Sequence, residues 1–203
     1  MVASFILFVI MLAWRMHVVS KMEEKDASDF FQNELDANNT RKKNLDTLPY
    51  IYIPLELFPV DTLDDDRDVA DCIRIISGLC DQKILNLTGI TNTQLKMEYG
   101  VSNLDALSQY DQNYTTLVTT LSRWAGLLLN ENYPQQAQAL LEYAVSIQTD
   151  IAQDYTSLAK LYLANQTPEK ISGLLEQASS LRSPSRDRIV RSLQSLQVDQ
   201  LLT

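Results

Sequence analysis

A chain of 203 residues with 45% hydrophobic content can bury one core, or a smaller core beside an anchor. Its net charge of −9, with no basic stripe, argues against nucleic acid as the main partner. The single histidine, His17, excludes His-based triads and His metal sites from the rest of the chain, and the five glycines form no phosphate-cradling loop.

In chain order, residues 2–14 carry no charge, and Val18 and Val19 extend the apolar character past Arg15 and His17. Counted through Val19 the run reaches 18 residues, the short end of a membrane span. Arg15 can snorkel to the headgroups and Trp14 can sit at the interface. No basic n-region precedes the run and no small-x-small cleavage site follows, so an uncleaved transmembrane anchor over residues 1–20 is expected rather than a signal peptide. The cations Arg15, Lys21 and Lys25 follow the span, which taken literally puts the domain in the cytoplasm. The first residues enter the apolar run directly, as if a basic leader were missing. On that ground the domain is expected on the extracytoplasmic side.

Residues 21–47 are polar and read as a juxtamembrane helix to about Asp36, then a loop at Asn38-Asn39. Residues 48–60 hold three prolines among large apolar residues, which forbids a helix interior or a central strand. An extended segment lying against the helical body is expected there, with docking of another chain as its functional alternative. A helix over 66–81 is expected from the stripe Val69, Cys72, Ile73, Ile76, Leu79 and Cys80. Its two cysteines are about 12 Å apart along that helix, too far for a disulfide. Asp64, Asp66 and Asp68 begin like a calcium loop, but the twelfth position is Ile75 rather than Glu. They read instead as acids at a helix N-terminus. A helix over 91–99 ending at Gly100 and a short one around Leu104, Leu107 and Tyr110 complete the region 48–112, which is expected to pack on the C-terminal helices.

Within residues 113–203 two stretches match each other at a fixed offset of 34. Leu121, Trp124, Ala125, Leu128, Ala137, Leu141 and Ala144 align with Tyr155, Leu158, Ala159, Tyr162, Ile171, Leu175 and Ala178. Within each unit the spacing is helical, and turns at Asn130–Pro134 and Asn165–Pro168 split it into a hairpin. Hairpins at about 113–147 and 151–181 are expected, all-α, with a capping helix from about 185 whose stripe is Ile189, Leu193 and Leu196. The four arginines of 182–191 read as the solvated face of that cap.

The pattern resembles the tetratricopeptide repeat (TPR). Trp124-Ala125 and Leu158-Ala159 match its large–small pair, Tyr162 its tyrosine, and Ala144 and Ala178 its last alanine. Leu128 and Ile171 depart from it. The match spans about residues 117–184. The alternative is an ordinary antiparallel helical bundle. In the resembled family ligands lie along the concave surface of the first helices. Carried over by position, that groove is Ser122, Gly126, Leu129 and Asn130, then Gln153, Thr156, Lys160 and Leu163, flanked by Thr119 and Ala164. It implies a protein or peptide partner of mixed polar and apolar character, not an acidic tail, because the basic clamp is missing.

The expected function is therefore a non-catalytic, single-pass membrane interaction module with no cofactor. Two alternatives stand beside it. One is an enzyme or enzyme subunit using carboxylates such as Asp61, Asp105 or Asp111; the other is a soluble cytosolic adaptor of the same fold.

Overall fold

The computed structural model describes Arg15, Gln32, residues 34–38 and residues 40–201. The expected anchor, Val2–Val19, lies outside them except for Arg15. Among the described residues no helix is long and apolar enough to cross a membrane. Those residues are all-α: helices α1 (Arg67–Leu79), α2 (Asn92–Tyr99), α3 (Leu104–Asn130), α4 (Pro134–Ser146), α5 (Ala152–Ala164), α6 (Lys170–Ser179) and α7 (Arg186–Leu201), with short 3-10 turns at Leu55–Leu57 and Val101–Asn103. No strand occurs among them.

The chain divides into two compact units. One holds the described residues up to Leu45 together with Thr91–Leu104. Its small core includes Ala37, Leu45 and Leu95. Thr91 caps α2 in a reciprocal box with Gln94. Glu34 accepts from the Thr93 hydroxyl and, at 2.8 Å, from Lys96. Gly100 ends α2 at φ 85°, and a Cβ there would lie 2.9 Å from the Arg41 carbonyl oxygen, so glycine is required twice over.

The other unit holds Asp46–Ile90 and the chain from Asp105 onward. As expected, Asp66 starts α1 as a cap, its Oδ1 accepting from the amides of Asp68 at 2.8 Å and Val69 at 3.0 Å. Both cysteines are free, Cys72 buried and Cys80 half-buried. Residues 48–60 are extended apart from the one 3-10 turn. The segment buries Ile53 and Phe58 in the same core as α1 and the hairpins. The short separate helix expected near Leu104 is instead the first part of α3. No proline interrupts 104–130, so nothing breaks the hydrogen-bond ladder before the turn. An expected boundary between 112 and 113 therefore falls inside a helix.

The 34-residue register holds in three dimensions. Of the aligned pairs, every member is buried except Leu175, which is half-buried. The turns repeat too. Asn132 (φ 65°) and Gln166 (φ 57°) both take left-handed backbone. Tyr133 N donates to Leu128 O at 2.8 Å as Thr167 N donates to Tyr162 O at 2.9 Å, the six-to-one bond that closes a helix end. Pro134 then opens α4, where its missing N–H costs no hydrogen bond. Helices α4 and α5, α5 and α6, and α6 and α7 pack on one another in sequence, and α7 also contacts α5. The register extends into this last helix, since Leu121, Tyr155 and Ile189 are each fully buried.

Trp124 is fully buried, as its place beside Ala125 requires. Its ring meets Phe58 edge-on at 6.1 Å, and Phe58 meets Tyr143 at 5.1 Å. The extended segment thus supplies part of the cover for the first hairpin.

Candidate functional site

The groove residues expected from the resemblance fall on α3 and α5. Asn130, Gln153 and Lys160 are exposed, while Ser122, Gly126, Leu129, Thr156 and Leu163 are half-buried. Leu129 and Leu163 rest their inner sides on the core. Around Gly126 a Cβ would meet nothing within 4 Å, so the helix surface there is open. Lys160 makes no ion pair among the described residues. Gln153 is held by Ser157 at 2.9 Å, and the Thr156 hydroxyl by the Ala152 carbonyl at 3.2 Å. Ser122 differs from the rest. Its hydroxyl donates to Asp154 Oδ1 at 2.5 Å, so it ties α3 to the first turn of α5.

Asp154 is the centre of the junction between the hairpins. It is 1% exposed. Its other oxygen accepts from the Thr149 hydroxyl at 3.1 Å, and that hydroxyl accepts in turn from the Ile151 amide at 3.3 Å. No cation pairs with Asp154 among the described residues. Burial pushes its carboxyl up to about 6 against the opposing pull of the two hydroxyls, and the nearby Asp150 charge adds to the rise. Asp150 itself accepts from Ser183 at 2.6 Å. Tyr114, from α3, donates to the Gln148 carbonyl at 2.8 Å; burial holds its phenol far above the ordinary range.

Beside this junction lies a cavity of about 430 Å³. One wall is the connection after each hairpin, with Ile147 and Gln148 from the first and Leu181 and Arg182 from the second. The opposite wall comes from the extended stretches around Ile51 and Asn86. The walls are tied together. The Ile51 amide donates to Ile84 O at 2.9 Å, and Asn86 Nδ2 donates to Ile147 O at 3.3 Å. Gly89, at φ 81°, lies so close that a Cβ would stand 2.8 Å from Arg182 O.

Of the carboxylates weighed for catalysis, Asp61 and Asp105 are exposed, and Asp111 accepts from the Leu87 amide at 3.0 Å. Among the described residues no group of three or more His, Cys, Asp and Glu is placed to hold a metal ion. Sequence reasoning missed Asp154, Thr149 and the cavity. A signal was present, because Ile147, Gln148 and Thr149 stand 34 residues before Leu181, Arg182 and Ser183. Both hydroxyls also accept the amide two residues on, Thr149 from Ile151 and Ser183 from Ser185. Comparison with family models, with curated proteins and with solved structures returns no significant match to this chain.

Proposed function

We propose that this chain is a TPR-like interaction module, non-catalytic, held at a membrane by Val2–Val19 and taking a protein or peptide partner on the α3–α5 face. The observation that carries the reading is the repetition of one hairpin unit at an offset of 34, in burial and in turn geometry alike. Stacked hairpins present the outer surfaces of their first helices side by side, and such surfaces accommodate extended chains. On that face Lys160 and Asn130 supply polar contacts. The outer sides of Leu129 and Leu163 supply apolar ones. The uncharged, largely apolar run of residues 2–14 supports the anchor.

The test compares partners recovered by the full chain in mild detergent with those recovered by Lys160→Glu and Leu163→Asp variants. Arg74→Glu, on the exposed side of α1, serves as the control. Loss of the same partner from both groove variants but not from the control supports the reading. Equal recovery by all four proteins removes it. Release of the chain from membranes by carbonate washing removes the anchor.

A further inference from the structure

We infer that the cavity beside the hairpin junction is a second binding site, for a short extended peptide segment that pairs an apolar side chain with a carboxylate. The inference is carried by the cavity's construction and does not depend on the α3–α5 face.

Three observations combine. First, the cavity is built rather than left over. Its walls come from stretches far apart in sequence, joined by the Asn86–Ile147 bond and by the close seat of Gly89 on Arg182. Its volume, about 430 Å³, lies in the range that ligand pockets occupy.

Second, the wall formed by the connections after the hairpins is periodic. Ile147 and Gln148 are followed one repeat later by Leu181 and Arg182, so an apolar side chain and a polar one recur along the edge of the stack. A wall that repeats its chemistry along a line suits an elongated occupant, which an extended peptide is. Gln148 holds its place in left-handed backbone at φ 64°, uncommon for a residue other than glycine.

Third, the lining has one charge among the described residues. Arg182 is exposed and makes no ion pair among them. The neighbouring carboxylate, Asp150, is already engaged by Ser183. An exposed guanidinium in the lining of a cavity of mixed polar and apolar walls recognises a carboxylate by paired N–H donors. On a chain of net charge −9, it is the one positive charge among the described lining residues.

The carboxylate can be a chain terminus or an acidic side chain, and the probes separate the two. Three fluorescein-labelled hexapeptide pools carry leucine or isoleucine near the carboxyl end, with a benzophenone beside it. One pool has a free C-terminal carboxylate. The second has an amide there and no acid. The third has an amide and an internal aspartate. Each is titrated by anisotropy against the full chain in lipid nanodiscs, and the photo-labelled positions are mapped by mass spectrometry.

The free-acid pool, the aspartate pool or both should bind, and the acid-free amide about tenfold more weakly, the loss of one charge-assisted contact. Labelling should fall on fragments containing Ile51, Leu85 or Leu181. Binding by the free-acid pool alone identifies a terminal carboxylate. Arg182→Glu should abolish the preference for acid and Arg182→Lys should keep part of it, whereas Arg74→Glu, on the exposed side of α1, should change nothing. Equal binding of acid and amide pools, an unaltered preference in Arg182→Glu, or labelling confined to α3 and α5 would overturn the assignment. So would no binding by any pool.

Discussion

Replacing Asp154 by Asn isolates what a buried, unpaired carboxylate does to this fold. The side chain is 1% exposed, with two hydroxyl donors and no cation among the described residues. Burial raises the carboxyl from 3.8 to about 6. A folded-state value above the unfolded one means that the folded protein binds the proton more tightly. The stability linked to that proton is complete below about pH 4 and is lost as pH rises through about 6. At 1.36 kcal/mol for each tenfold change in proton affinity, the loss comes to about 3 kcal/mol. About 2 kcal/mol of it falls between pH 4.5 and 7.5, where melts are practicable. Asn keeps the shape and carries no charge; one of the Ser122 and Thr149 hydroxyls keeps donating to its Oδ1 while the other turns to accept from its Nδ2. The difference between variant and wild type is the quantity to follow, because the acids Glu34 and Asp71 titrate alike in both proteins and cancel. Urea melts across that range should show Asp154→Asn gaining on wild type as pH rises, by about 2 kcal/mol in all. A difference that stays flat within about 0.5 kcal/mol, or that moves against the variant with rising pH, would refute the reasoning.

Other substitutions test the packing. Trp124→Ala should cost roughly 3–5 kcal/mol in denaturant melts, since a fully buried ring leaves a cavity against Phe58. Ala125→Leu, at 1% exposure, should cost roughly 1–3 kcal/mol by overpacking, while Lys160→Ala should stay within about 0.5 kcal/mol. If Trp124→Ala melts like wild type while Lys160→Ala collapses, the buried and open faces of the repeat are reversed. Tyr155 buries a hydroxyl that has no hydrogen-bond partner among the described residues. Tyr155→Phe should therefore match or exceed wild-type stability, by up to about 1 kcal/mol, whereas a loss of that size would reveal a partner. Gly89→Ala should destabilise by roughly 1–3 kcal/mol, because left-handed backbone and the Arg182 carbonyl both oppose a Cβ; an unchanged melting midpoint would mean that the loop is not seated there.

Much of the helical stack was legible without coordinates. The apolar stripes of 121–144 and 155–178 encode helices because burial on one side demands a 3.6-residue period, and that demand is local. The turns at Asn132 and Gln166, the proline that opens α4, the Asp66 cap and the buried place of Trp124 are likewise written in short-range chemistry. The break expected within 104–130 shows where that reasoning stops. Stripe fragments looked like separate helices, but a helix ends only where its backbone bonds are interrupted, and no residue there interrupts them. The candidate sites needed the folded chain. Nothing near position 154 announces a buried carboxylate, because its burial depends on Ser122 of α3 and on the loop at Thr149 meeting it. The cavity needs Ile51, Asn86, Gln148 and Arg182 at once, residues brought together by backbone bonds such as Ile51 to Ile84. Periodicity determines which side of each helix turns inward; only the tertiary structure decides which polar groups from distant segments share the same dry space, because desolvation and partnership are properties of the assembled neighbourhood.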